Sequence, residues 1–599
     1  MAIRTFTSVL VLSLALSGVA IAQKPVAQLP QARVDTTWSV PSGQTWAAHD
    51  AAGFRNALNS ANPGDVIVLD AGTVYKGNFK VPAKSNLSGQ WIYIVSSNLS
   101  SLPASGTRVS PSDAVNMPKI VTPNVSQALS FWLGANHIRV VGVEIYSAST
   151  YAPANYNPGV YYGYAMVSIA DPWQNWNKNV PDNIIFDRVY VHGDATHDVQ
   201  AGIQLNFSNA AVVDSYISDI HMKGTDTQAV GAFYTPGPIL IHNNHLEAAG
   251  ENVIFGGAGR NYNLWVPSDI TVTDNYFYKP LSWVPLSTGT SPTMVVKNSF
   301  ELKSAQRVLF DHNVIENKWS AGQVGGAFLM TIRTSQSGDI AVIHDITITN
   351  NILKNVVRGF DLMEADYACG VAPYTTCHNA GDTDRIVIQN NLVLLGDPTQ
   401  TGWSGNQHSG LIYFTMGKDA INNVFPPNKD VLVQHNTVVS NPNGACWSSV
   451  YFGVPGVWKP PFPYPPTNNL WILDNVLCKQ PYGDWGLQGM TALNDYMGSP
   501  NTPSYDVTQR FYGNVMYVPV GNKVQPFPPH NYATTVPVVY AHQSIPDYQL
   551  VSPYWTNTSD GQLAGVNFSQ LPASTGSNIQ GQSSLSITAT VGAPASVRK

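Results

Sequence analysis

The sequence predicts an all-β solenoid: a right-handed parallel β-helix of about ten or more coils, with a helix capping its N-terminal end. Three observations predict it. Segments of one shape recur along the chain: IIFDRVYV (184–191), AVVDSYIS (211–218), ILIHNNHLE (239–247), ITVTDNYFY (270–278), VLFDHNVIE (308–316), ITITNNILK (346–354), IVIQNNLVL (386–394), VLVQHNTVV (431–439), LWILDNVLC (470–478) and RFYGNVMYV (510–518). Most carry asparagine at one register, Asn244, Asn275, Asn313, Asn351, Asn391, Asn436, Asn475 and Asn514, at steps of 31, 38, 38, 40, 45, 39 and 39 residues. The composition is that of a turn-rich β protein, with 44% hydrophobic residues, 48 Gly and 42 Pro, and only 11% charged residues against ~25% in ordinary globular chains.

A period near 40 residues also suits a β-propeller, but a propeller blade needs four strands. Each unit here shows about three short strands with asparagine at one turn, which favours a coil whose asparagines stack from rung to rung.

The elements follow in chain order. Residues 1–22 read as a secretory signal, with Arg4, an apolar run from Val9 to Ile21 and small residues before a cut after Ala22. The run is shorter than the ~20 residues a membrane span requires, and no later segment is apolar enough to span. The expected location is therefore secreted, periplasmic or cell-surface. Residues 23–79 form the N-terminal segment and cap, in which Ala51, Phe54, Leu58 and Ala61 share one helical face, Asn62-Pro63-Gly64-Asp65 ends the helix, and VIVL opens the first strand. Residues 80–520 form the β-helix, and residues 521–599 a C-terminal cover and loose tail, Ser/Thr/Gly-rich from Ser569 onward.

A net charge of -6 gives no basic footprint, which argues against nucleic acid and anionic membranes as partners. The four cysteines, Cys369, Cys377, Cys446 and Cys478, allow three pairings; Cys369 with Cys377 would close a small loop and leave Cys446 with Cys478. Their spacing does not suit zinc. Nucleotide-binding and serine-hydrolase motifs are absent from the sequence.

Each coil carries a second strand upstream of its asparagine. Aligning these strands sets Gln204, Gly231, Ile254, Glu301, Thr331, Asp361 and Tyr413 in one outward column, and Asn206, Phe233, Gly256, Lys303, Arg333, Met363 and Thr415 in the other. In that alignment Lys303 and Arg333 are neighbours on adjacent rungs. Two stacked cations repel, and a face that keeps them together has a use for them or compensates them through Glu301 and Asp361.

The opening helix followed by NPGD, a strand and GTVYKGNF resembles the start of pectate-lyase-like β-helix proteins. The segment FELKSAQRVLFDHNVIEN, followed by LMTIRT, resembles the Lys-Ser and downstream Arg pair of the alginate lyase and chondroitinase B group of polysaccharide lyases. The resemblance implies β-elimination on a uronic-acid glycan, with Lys303 as base and Arg333 as acid or carboxylate ligand. It also implies a Ca2+ ion, for which Glu301 and Asp361 are the candidate ligands.

Other expectations stand beside this one. Glu251, in GENVIFGG, is a candidate acid or base of a glycosidase or epimerase together with Glu301 and Asp361. His221, in DIHMKGTD, and Gln204, Asn206, Phe233, Tyr413 and Asp361 are candidate substrate contacts, as are loop aromatics such as Trp173, Trp176, Trp265, Trp283, Trp319 and Trp403. A non-catalytic glycan-binding or cell-envelope protein is the third expectation. The expected partner is an extracellular polysaccharide, and the expected state a monomer.

Overall fold

The computed structural model describes residues 23–86, 88–148, 165–170, 179–257, 265–288, 293–320, 322, 325–332, 341–365, 380–403, 409–415, 428–441, 446, 448–453, 468–478, 510–517, 529–534 and 558–572. The expected signal segment, Cys369, Cys377, Trp173, Trp176 and Arg333 lie outside them.

The strands assemble into three parallel sheets that run the length of the molecule. The first has 14 strands, from Thr45–Ala48 to Phe511–Tyr512; the second has 11, from Phe79–Val81 to Val450–Gly453; the third has 14, from Val74–Lys76 to Tyr532–Thr534. Every strand pair is parallel and joins one coil to the next, so the chain winds as a parallel β-helix. Alternate residues point inward, and the interior is one continuous stack of Ile, Val, Leu and Phe from Ala48 to Met516. Such a core repeats because each rung buries its apolar side chains against the rungs above and below.

The helix Ala51–Ser60 packs on the first coil through Phe54, Ala57 and Leu58, and Asp50 caps it by accepting from Gly53 N at 2.7 Å. It covers core that the first coil would otherwise expose.

The asparagine column forms a ladder at the turn between the first and third sheets. The side-chain NH2 of each of Asn244, Asn275, Asn313, Asn351, Asn391, Asn436, Asn475 and Asn514 donates to the carbonyl oxygen of the next, at 2.8–3.3 Å, and the series ends on Asn531. The same oxygen also accepts the backbone N–H of the asparagine before it. Each rung is preceded by a left-handed residue, with φ 53–59° at Asn243, Asp274, His312, Asn350, Asn390, His435 and Asp474. Asn, Asp and His tolerate this conformation better than branched residues, which explains the Asn-Asn, Asp-Asn and His-Asn pairs of the repeat.

Both termini run along the flank. The N-terminal segment is tied to the first sheet by Gln28 N to Asp345, Gln31 N to Asp269, and Arg139 to the carbonyl of Thr36. Residues 558–572 lie beside the third sheet, with Ser559 on Asp474, Val566 on Thr437 and Asn567 on Asn390. Val566, Phe568 and Leu571 cover the outward Tyr276, Val314, Ile352 and Leu392. Cys446 and Cys478 form a disulfide. No helix among the described residues is long and apolar enough to cross a membrane.

Candidate functional site

The outer face of the 11-stranded sheet carries a cluster that breaks the low-charge pattern of the chain. Phe300 and Leu302 point into the core, so Glu301 and Lys303 point out. They face each other: Lys303 Nζ lies 3.2 Å from Glu301 Oε1. Glu251 opens the preceding strand, Glu251–Phe255, which pairs with the strand of Glu301, and each carboxyl group acts on the charge of the other. Gln228, opposite Glu251 on the coil before, donates to Glu251 Oε2 at 2.8 Å.

A residue the sequence did not single out sits at the centre. The Lys297 ammonium contacts Glu251 Oε1, Asp226 Oδ2 at 2.9 Å and Glu301 Oε2 at 3.7 Å. Lys297 precedes its strand, where no alternation marks it as facing the site. A second buried lysine, Lys279, fixes the turn that delivers Glu251 by donating to the carbonyls of Ala248, Ala249 and Gly250 at 2.7, 3.0 and 2.5 Å.

The cluster is almost fully buried: Glu251 is 0% exposed, Glu301 1%, Lys303 6% and Lys297 7%. Burial and the neighbouring Glu251 charge raise the Glu301 carboxyl to about 7. Burial would raise Glu251 too, but the Lys297 ammonium, with Glu301 and Lys303 adding to it, overcomes burial and holds Glu251 below the usual carboxylate range. Of the two glutamates, Glu301 is the one pushed toward its protonated form. Gly256 and Gly257, at φ 75° and 94°, let the chain turn against this group; a Cβ at Gly257 would stand 2.4 Å from Lys303 Cδ.

The strand register corrects one expectation. Phe300, Glu301 and Leu302 pair with Phe328, Leu329 and Met330. Continuing that register places Thr331 beside Lys303, where the alignment expected Arg333, and Leu329 in the column of Glu301. Phe328, Leu329 and Met330 are all apolar, and a shift by two preserves the inward and outward alternation, so periodicity could not separate the registers. Thr331 Oγ1 is buried and makes no hydrogen bond, so it is a polar group available at Lys303's rung.

Asp361 falls in the expected column, two rungs from Glu301 and next to Tyr413. It is engaged by Arg358, at 2.5 and 2.9 Å, and by Gly326 N at 2.7 Å, while the Arg358 guanidinium lies 3.9 Å from the Tyr413 ring centroid. Buried Lys318 stands near by; burial and the Arg358 charge bring it down to about 7.

The two residues expected to hold calcium stand apart in this arrangement. Glu301 and Asp361 are separated by the rung of Leu329, a span of ~9.5 Å at the usual rung spacing, and each faces a different cation. Nor does the space between Glu251 and Glu301 fit calcium as it stands, because the Lys297 ammonium fills it. The other expected carboxylate pair, Glu251 and Glu301, shares the Lys297 ammonium.

Several expected contacts serve the fold. Asn206 Oδ1 accepts the backbone N–H groups of Phe233 and Tyr234 and so shapes the next coil. His221 is hydrogen-bonded to the carbonyl of Asp194 and its ring meets Trp283. Trp283, Trp319 and Trp403 are buried together in an apolar cluster with Val284 and Val296, so they are packing residues where exposed loop aromatics were expected. Gln204 and Phe233 are half-buried on the outer face, two coils and one coil from Glu251 respectively.

No protein-family profile matches the chain, and no curated protein matches it. Among solved structures it is similar to an alginate lyase from a Paenibacillus species, with 14% identity over 69% of this chain and 99% of that one, at a TM-score of 0.34. It is also similar to a mannuronic-acid-specific polysaccharide family 6 lyase from human gut microbiota, with 11% identity over 83% and 92%, at 0.46. A third is an exopolygalacturonase from Thermotoga maritima, with 12% identity over 70% and 89%, at 0.40. The likeness is one of fold, which the strand pairing already establishes.

Proposed function

We propose that the protein is a polysaccharide lyase that cleaves a uronic-acid glycan by β-elimination at the outer face of the 11-stranded sheet. The observation that carries this reading is Lys303 Nζ placed 3.2 Å from Glu301 Oε1 inside a buried cluster. A single proton between these two groups can sit on either. In one arrangement they form an ion pair, and in the other a neutral amine faces a neutral carboxylic acid. Low solvent access narrows the free-energy gap between the two, because it penalises the charged form.

The second arrangement supplies both partners of an elimination. The Lys303 amine takes the C5 proton of the uronate, the C4–O bond breaks as C4=C5 forms, and the Glu301 carboxyl gives its proton to the departing oxygen. The ion pair is restored at the end of the step. Cationic groups near C5 favour the enolate-like charge that builds on the substrate carboxylate. Thr331 Oγ1, buried and unpaired at the same rung, is a donor for that carboxylate.

Incubation with alginate, pectate and chondroitin should give the absorbance of unsaturated uronate ends on one of the three, and Lys303→Ala should abolish it. New reducing ends without unsaturation would replace this reading with hydrolysis. Binding without turnover on all three would leave a glycan-binding protein.

A further inference from the structure

We infer that Lys297 is a covalently tethered cation occupying a three-carboxylate site, so that the protein needs no metal there, and that removing its ammonium opens a divalent-cation site. The inference bears on the same site as the proposed lyase activity and deepens it, but its binding arms do not depend on that activity.

The geometry is that of a coordination site with an ammonium at its centre. Three carboxylates from three coils, Asp226, Glu251 and Glu301, converge on one Nζ. The ammonium donates to Asp226 Oδ2 at 2.9 Å and forms ion pairs with Glu251 Oε1 and, at 3.7 Å, Glu301 Oε2. Two of the three carboxylates are essentially inaccessible to water, and Gln228 adds an amide at the edge of Glu251. Such a group of carboxylates is costly to bury without positive charge at its centre.

Lys303 also acts on Glu251, but less than Lys297 does, and its own ion pair is with Glu301 Oε1. Without the Lys297 ammonium, the cluster would hold two or three carboxylate charges against one lysine. Oxygen atoms from three side chains, completed by water, form the donor set that hard divalent cations take. Asp226 is half exposed, which gives an ion a route in.

The cost of calcium is also avoided in the native chain. A bound ion must be recruited and can be chelated, whereas an ammonium on a side chain is present at every moment that the fold is. The charge it lends to the site is one unit rather than two. This keeps Glu251 ionised while leaving Glu301 able to hold its proton.

The test is calcium and manganese titration of the purified full chain, followed by calorimetry and thermal melting, for the native protein, Lys297→Ala, Lys297→Met and Lys297→Ala/Glu301→Gln. The native protein should show no saturable metal binding at this site and no change on treatment with a chelator. Lys297→Ala should bind one ion and melt at a higher temperature with metal than without. The double variant should lose at least tenfold of that gained affinity. Lys297→Met, which keeps the side-chain bulk, provides the same comparison should the alanine variant fail to fold. Saturable binding by the native protein that Glu301→Gln weakens would overturn the inference, as would the absence of metal binding in both folded Lys297 variants. A native protein inactive on every glycan but unresponsive to metal, with metal gained on Lys297 replacement, would remove the lyase reading and leave this one standing.

Discussion

Two stacks of buried polar side chains run along this molecule, and they differ in one respect that separates structure from chemistry. The asparagine ladder repeats the same residue, with the same two acceptors and donors, from Asn244 to Asn531. Its bonds are made within the ladder and to strand carbonyls, and it leaves nothing over. The Glu251, Lys297, Glu301 and Lys303 cluster occurs once among the described residues. It pushes one of two neighbouring acids toward its protonated form, sets a lysine within reach of it, and leaves Thr331 Oγ1 unpaired. A repeat fold can satisfy its buried polar groups by repetition, so a singular and unbalanced group is where function is to be sought.

The widest separation between the two regions is expected from Lys303→Ala. Loss of a general base typically removes about 10²- to 10⁴-fold of rate, and kcat/KM for unsaturated product should fall by that order. Circular dichroism should show the β-helix unchanged. The opposite change is expected from Asn351→Leu, which removes acceptors for both the backbone and the side chain of Asn313. Leaving buried donors unpaired should cost about 2 to 4 kcal/mol, read as a lower urea midpoint, while the rate per folded molecule stays the same.

The pH profile sharpens the comparison further. Below about 7 Glu301 holds a proton of its own; above it that proton is lost and the ion pair with Lys303 from which the step proceeds is complete. The kcat/KM profile should therefore rise with pH through about 7. Glu251→Gln removes the charge that raises Glu301, and should move this acid limb to lower pH by about one unit. If the limb stays where it is, the proton is not shared as described.

A smaller effect is expected on stability. The folded pKa of Glu301 is raised above its ordinary value of 4.5, so its contribution is fully present below 4.5 and is lost as pH rises through about 7. Urea midpoints should fall across that window in the native protein and flatten in Glu301→Gln. Lowering of the Glu251 pKa acts below 4.5 and does not enter the window. Ladder variants should keep the native pH dependence.

The ladder was almost wholly legible in the sequence, because its period and its left-handed neighbours are written in residue types that only certain turns accept. Asn531 escaped notice because the last step, from Asn514, is 17 residues, less than half of the earlier period. The outward strands were legible where apolar and polar residues alternate, as in FELK and FDLM. They were not where Phe328, Leu329 and Met330 are apolar in succession, so that Arg333 was set beside Lys303 where Thr331 belongs. Glu251 and Glu301 could be picked out as rare charges. The ammonium of Lys297 between them and Asp226 arises from turns whose path no periodicity encodes. Trp319 and Trp403 show the same limit in reverse, since a loop aromatic and a buried one read alike until the loop is folded.

The most direct measurement compares product and fold in one set of proteins: unsaturated uronate formed from alginate, pectate and chondroitin by the native chain, Lys303→Ala and Asn351→Leu, each with its urea midpoint. The account predicts product from the native chain and from folded Asn351→Leu, none from Lys303→Ala, and a lowered midpoint only for Asn351→Leu. Product from Lys303→Ala at the native rate would contradict it.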